Sequence, residues 1–215
     1  MSGYQAGALD VGSVEKGSER LASDMGTPSR ERERAILEEC QRGCLEPYGE
    51  VVRWYQRRLF GLLLRLVRDR AAAEDLTQES FLLAFRKLHL YDLERPFWPW
   101  LVRLGINLSH SWHRNARRQA IPMELEVVEG LAAQPPGEGD PASRRERAQR
   151  LERALMALPE KGRVALLLKF HEGMSYQEMG QALGVPALVL KMRVSRARAR
   201  LRSLLEASEA GADET

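Results

Sequence analysis

The chain has 215 residues, which at roughly 150 residues per domain is room for one or two domains. With 44% hydrophobic, 29% charged and only 7% aromatic residues, it falls outside the disordered and fibrous classes and suits a helical globular protein. The net charge is only +3, and the two cysteines cannot make a disulfide framework.

Nothing in the sequence predicts membrane insertion. The most apolar stretch, Leu59 to Val67, is cut by Arg65 and falls far short of the roughly 20 residues a spanning helix needs. Met1 to Asp10 lacks the basic opening and apolar stretch of a secretory signal, which predicts a cytoplasmic protein.

In chain order, residues 1–30 hold scattered glycines among Ser, Asp and Glu without apolar periodicity and are expected to form a disordered tail. Helical periodicity begins near Ala35 and runs through Ile36, Leu37, Val51, Tyr55, Leu59, Leu62 and Leu66. A second helical stretch covers about Ala71 to Leu88. A third covers about Phe97 to Arg117, and the turn-like Tyr91 to Pro96 lies between them. Residues 119–143 carry five acids, no Lys or Arg, and several prolines and glycines, the composition of an exposed linker. Helical pattern resumes over 144–206, and 207–215 is a polar tail. No segment alternates long enough to read as a strand, so the expected fold is all-α: two small helical domains, 31–118 and 144–206, joined by a flexible acidic linker.

The second domain carries a helix-turn-helix signature. Ser175 and Glu178 have the spacing of a capping box, Tyr176, Met179 and Leu183 form one apolar stripe, and Gly184 is placed to end the helix. Pro186 suits the first turn of the helix that follows. At about 100° per residue, Leu190, Val194, Ala197 and Leu201 share the core side of that helix. Met192, Ser195, Arg196 and Ala199 point outward, with Lys191, Arg198 and Arg202 on one flank and Arg193 and Arg200 on the other. Modest side chains over the groove floor with cations toward both phosphate walls suit a recognition helix in a major groove.

The first domain offers two further faces. From Phe97 onward, Leu101, Leu104, Leu108 and Trp112 form a buried stripe, while Arg103, Asn107, His110 and Arg114 follow one another on the opposite side. Cations mixed with an amide and an imidazole can hold phosphates and base edges, and Trp98 is placed to offer a flat face to an unstacked base. Phe97 and Trp100 are expected in the core. In the preceding helix, Asp75, Gln78, Glu79, Leu82 and Arg86 share a stripe that can dock a basic helical partner. None of the four histidines is paired with a carboxylate in the sequence pattern. Cys40 and Cys44, spaced i, i+4, are expected to be ordinary packing residues.

Together these pieces resemble the extracytoplasmic-function group of bacterial sigma factors, the small two-domain members of the sigma-70 family. Ala73 to Phe81 looks like that family's polymerase-docking segment. Phe97-Trp-Pro-Trp-Leu101, Ile106-Asn107 and Arg114 look like its −10 recognition and melting segment. Leu158-Pro159, Glu172 to Glu178, Leu183 to Pro186 and Val194 to Arg198 look like its −35 helix-turn-helix. The sequence departs from the family at Leu188 and Val189, where a small residue and Thr are usual, at Met192, and at Trp98 and Pro99.

The resemblance implies that Asp75, Gln78, Glu79 and Leu82 bind core RNA polymerase (its β′ and β subunits), and that Trp98, Arg103, Asn107, His110 and Arg114 hold −10 DNA. It implies −35 contacts by Lys191, Met192, Arg193, Ser195, Arg196, Arg198 and Arg200, a linker passing toward the polymerase active centre, and an inhibitory anti-sigma partner. It implies no catalysis, no cofactor and no metal. The competing expectation is a helix-turn-helix regulator whose first domain serves dimerisation or effector binding. A redox or metal enzyme built on Cys40 is a more distant third.

Overall fold

The computed structural model describes residues 28–118 and 140–210; the expected N-terminal tail up to residue 27, the acidic linker from 119 to 139 and the last five residues lie outside it. Among the described residues every regular element is helical. The first lobe contains α1 (Arg30–Gln41), α2 (Tyr48–Val67), α3 (Arg70–Lys87), a short 3₁₀ turn (Leu88–Leu90) and α4 (Phe97–Arg118). The second contains α5 (Pro141–Met156), α6 (Glu160–Leu166) running into one π turn (Leu167–His171), α7 (Tyr176–Leu183) and α8 (Ala187–Ala210).

Local chemistry sets the helix ends. Ser29 caps α1 by accepting the Arg32 amide, and Asp69 caps α3 by accepting the Ala72 amide. The apolar period that begins at Ala35 is broken at Gly43, whose φ of 102° suits glycine, so α1 and α2 are separate helices. Leu37, Val51, Leu59, Leu62, Leu63 and Leu101 are essentially sealed from solvent where α1, α2, α3 and α4 pack together. At that crossing a Cβ on Gly105 would stand 3.2 Å from Leu59 and 3.3 Å from the Ser80 hydroxyl, so glycine permits the close approach of α4. The buried Thr77 and Ser80 hydroxyls donate to the carbonyls of Ala73 and Leu76, both at 2.6 Å, which satisfies both donors within α3.

Polar ties fix the start of the lobe. Glu33 is buried, accepts the Tyr55 phenol and is paired with Arg30 at 2.6 Å; Arg30 also donates to the Leu93 carbonyl at 3.0 Å. The Gln41 amide bridges the carbonyls of Leu88 and Tyr91 at 2.8 and 2.9 Å, so α1 holds the turn that leads into α4.

In the second lobe, Leu168, Met179 and Leu190 are the largest sealed side chains and lie between α6, α7 and α8. The two lobes are in contact, with α7 packed against α4. Arg58 on α2 pairs with Glu172 at 2.7 Å, and Arg68 at the end of α2 pairs with Glu152 on α5 at 2.8 Å. Arg68 is a non-glycine residue in the left-handed region, at φ 57°, and ends α2 with its backbone N–H donating a hydrogen bond to the Leu64 carbonyl.

Candidate nucleic-acid interface

The helix-turn-helix is built as its sequence signature implies. The Ser175 hydroxyl accepts the Glu178 amide at 3.2 Å while the Glu178 carboxylate accepts the Ser175 amide at 2.7 Å, a reciprocal cap at the start of α7. Gly184 ends α7 at φ 65°, a conformation a side chain would strain. The Leu190 amide donates to the Pro186 carbonyl, so the proline stands at the threshold of α8.

On α8, Leu190, Val194 and Ala197 are buried and Leu201 is half-buried, which fixes the helix's core side. Lys191, Met192, Ser195, Arg196 and Arg200 are exposed, while Arg193 and Arg198 are half-buried along the flanks. Leu188 and Val189, absent from the expected contact set, are also exposed on the first turn of α8. Their signal was available, since Leu188 stands one helical turn before Met192.

The face expected on α4 is only partly open. Arg103, Asn107 and Arg114 are exposed, and the Arg114 guanidinium donates to the Ser111 hydroxyl at 2.9 Å. His110 is half-buried, with Nε2 3.4 Å from a Glu160 carboxylate oxygen at the start of α6; His171 Nδ1 is likewise 3.6 Å from Glu172. The sequence pattern pairs no histidine with a carboxylate; in the structure two histidines stand near one, Glu160 at the start of α6 and Glu172, the sequence neighbour of His171.

Trp98 is the clearest difference. Expected to offer an open aromatic face, it is buried, stacked on Tyr55 at 5.6 Å between ring centroids and covered by the Arg58 guanidinium at 4.2 Å. Its indole N–H has no hydrogen-bond partner among the described residues. Tyr55 and Arg58 both stand on α2, and Glu172 of the second lobe holds the Arg58 guanidinium over the ring. Phe97 is sealed in the core as expected. Trp100 is half-buried and lines a cleft of about 280 Å³ with Tyr91, Arg95, Arg103 and, from α7, Gln181.

The α3 face is fully presented. Asp75, Gln78, Glu79 and Leu82 are all exposed, Leu82 at 57%, and at 100° per residue they span only about 100° of the helix circumference. An exposed leucine set among acids and an amide is a surface that a basic helix with an apolar anchor would complement. The three faces lie on different helices, α3 and α4 in the first lobe and α8 in the second, and α7 is the second-lobe helix packed against α4. Of the cysteines, Cys40 is buried and burial pushes its thiol pKa up, whereas Cys44 is exposed.

Comparison with known proteins gives the same two units. Residues 51–119 match Sigma-70 region 2, and residues 148–201 match Sigma-70, region 4. Over 186 residues the chain is 30% identical to the RNA polymerase sigma-H factor of Pseudomonas aeruginosa, covering 83% of this chain and 96% of that one. To the ECF RNA polymerase sigma factor SigW of Bacillus subtilis it is 27% identical, covering 79% and 94%. It also spans 41% of RfaY, a longer relative from Xanthomonas campestris, at 33% identity. Among solved structures, that of CnrH in complex with the cytosolic domain of CnrY superposes with a TM-score of 0.62 at 25% identity, covering 82% of this chain and 98% of that one. With both family regions in order and relatives matched over nearly their whole length, the chain belongs to the extracytoplasmic-function group of the sigma-70 family, the RNA polymerase sigma factors of transcription initiation.

Proposed function

We propose that this chain docks on core RNA polymerase through Asp75, Gln78, Glu79 and Leu82, reads a −35 promoter element with α8, and grips and opens −10 DNA with Arg103, Asn107, His110 and Arg114. The observation that carries this reading is the division of α8: a sealed stripe on one side, and on the other an exposed stripe flanked by cations on both edges. A helix of that form lowers its outward stripe into a major groove while the cations meet phosphates.

The contact between lobes defines two states of the −10 face. In the closed arrangement His110 is engaged by Glu160, and Trp98 lies under Arg58. Separating the lobes frees His110 and releases Arg58 from Glu172, so that the arginine can swing off the ring and open the unpartnered Trp98 indole N–H to nucleic acid. An inhibitory anti-sigma partner is part of the same proposal, because a similar structure is that of the sigma factor RpoE in complex with the anti-sigma factor NepR from Bartonella quintana. Such a partner would act by holding a state in which polymerase or promoter cannot be engaged.

The test is retardation of a promoter-fragment library by the chain alone, by core polymerase alone and by both. Specific complexes formed only by the combination support the proposal. Tight, sequence-specific binding by the chain alone, unaffected by core polymerase, would instead favour a conventional helix-turn-helix regulator.

A further inference from the structure

Eight large apolar side chains remain exposed among the described residues, and three of them, Leu188, Val189 and Met192, fall within five consecutive positions at the start of α8. Their exposures are 71%, 43% and 48%. At 100° per residue, Leu188, Met192, Ser195 and Ala199 lie within roughly 60° of one another, directly opposite the buried Leu190, Val194 and Ala197. The middle of the outward stripe is therefore apolar apart from one hydroxyl, and the cations stand to either side, Lys191 and Arg198 on one and Arg193 and Arg200 on the other, with Arg196 at the edge of the stripe itself.

We propose that Leu188 and Met192 read thymine methyl groups on the floor of the −35 major groove. This rests on the placement of α8 in that groove. With the flanking cations on the phosphate walls, the apolar stripe must face base edges. The thymine C5-methyl is the one apolar group those edges present. A leucine cannot form a hydrogen bond, and a methionine sulfur accepts only weakly. Pressing either against the N4 amine of cytosine or the N7 and O6 of guanine would strip water from polar atoms and return nothing, so selectivity comes from both attraction and exclusion. Leu188 and Met192 are separated by about 6 Å of helix rise, so they reach positions about two base-pair steps apart.

The test uses the full chain assembled with core polymerase. A −35 site is selected from randomised duplex DNA, and each thymine in it is then replaced by deoxyuridine, which removes only the methyl group. The expected result is a site with thymine at one or two positions where deoxyuridine weakens binding about fourfold per methyl. That loss disappears in Leu188→Ala or Met192→Ala, one position for each residue. Both side chains are exposed and alanine favours helix, so the variants fold. Indifference of the selected site to deoxyuridine, or an undiminished methyl effect in both variants, overturns the inference and leaves the −35 reading intact. Failure to select any −35 sequence overturns the −35 reading, and the inference with it.

Discussion

Arg58 on α2 donates through Nε to the Glu172 carboxylate at 2.7 Å and through Nη2 to the Glu172 carbonyl at 2.8 Å, so one arginine of the first lobe is gripped by both side chain and backbone of a single residue in the second. The Glu172 side chain is 1% exposed and Arg58 19%. Removing one member of a buried pair costs about 3–5 kcal/mol when the other charge stays behind. The exposures decide which removal hurts more: a released arginine can swing to water, whereas the Glu172 carboxylate regains water only by leaving the interface. Arg58→Ala is therefore expected to drive the lobes apart, and Glu172→Gln, whose amide oxygen still accepts, to do so much less. Small-angle scattering reads this as a larger radius of gyration for Arg58→Ala; equal radii for the native chain and both variants would contradict it.

The docking face yields a charge-reversal prediction. Asp75 and Glu79 are exposed, so Asp75→Arg and Glu79→Arg should leave thermal stability within about 0.5 kcal/mol of native. Each should nevertheless abolish co-purification with core polymerase, by setting like charge against the partner surface, while duplex binding by α8 is retained. Unchanged co-purification would remove α3 from the docking interface.

On α8 the cations should divide their labour by position. Arg196 lies beside the outward stripe, where a base contact is worth roughly 1–3 kcal/mol of discrimination, whereas Arg200 is turned toward a phosphate wall. Arg196→Ala should relax preference at one −35 position. Arg200→Ala should weaken all sequences alike and reduce the salt slope by about one. Binding across a randomised −35 library at two salt concentrations separates them, and a sequence-specific loss from Arg200→Ala would mean the helix is rotated about its axis.

Buried phenols give the first lobe an alkaline limit. Burial raises the pKa of Tyr48, Tyr55 and Tyr91, in the last case from 10.0 to about 12. Each hydroxyl donates inside the lobe: Tyr48 to the Phe81 carbonyl, Tyr55 to Glu33 and Tyr91 to the Arg95 carbonyl. A folded-state value above the unfolded one means that the stabilisation is complete below pH 10.0 and is lost as pH rises through about 12. The urea midpoint should accordingly fall across that window, less steeply in Tyr91→Phe; a midpoint independent of pH there would contradict it.

Features set by near neighbours in sequence were legible before the structure. The capping box, the Gly184 stop and the Leu190, Val194 and Ala197 stripe depend on residues within a few turns, and all three are present. The burial of Trp98 was not legible, because its cover is an arginine held by a glutamate 114 positions along the chain. The pairing of His110 with Glu160 was hidden for the same reason, since it exists only when the lobes touch. The π turn after α6 also left no periodic trace, as one extra residue shifts a helical stripe without erasing it. Leu188 is a different case: its exposure follows from the period of α8 and was legible, since it stands one helical turn before Met192 and opposite the Leu190, Val194 and Ala197 stripe.

The most direct measurement is run-off transcription with purified core polymerase on a panel of candidate promoters. The account predicts RNA from a subset of promoters only when the chain and core polymerase are both present, with loss on Asp75→Arg and on combined alanine substitution of Arg103 and Asn107. Promoter-independent synthesis unchanged by the chain, alongside tight duplex binding by the chain alone, would contradict it.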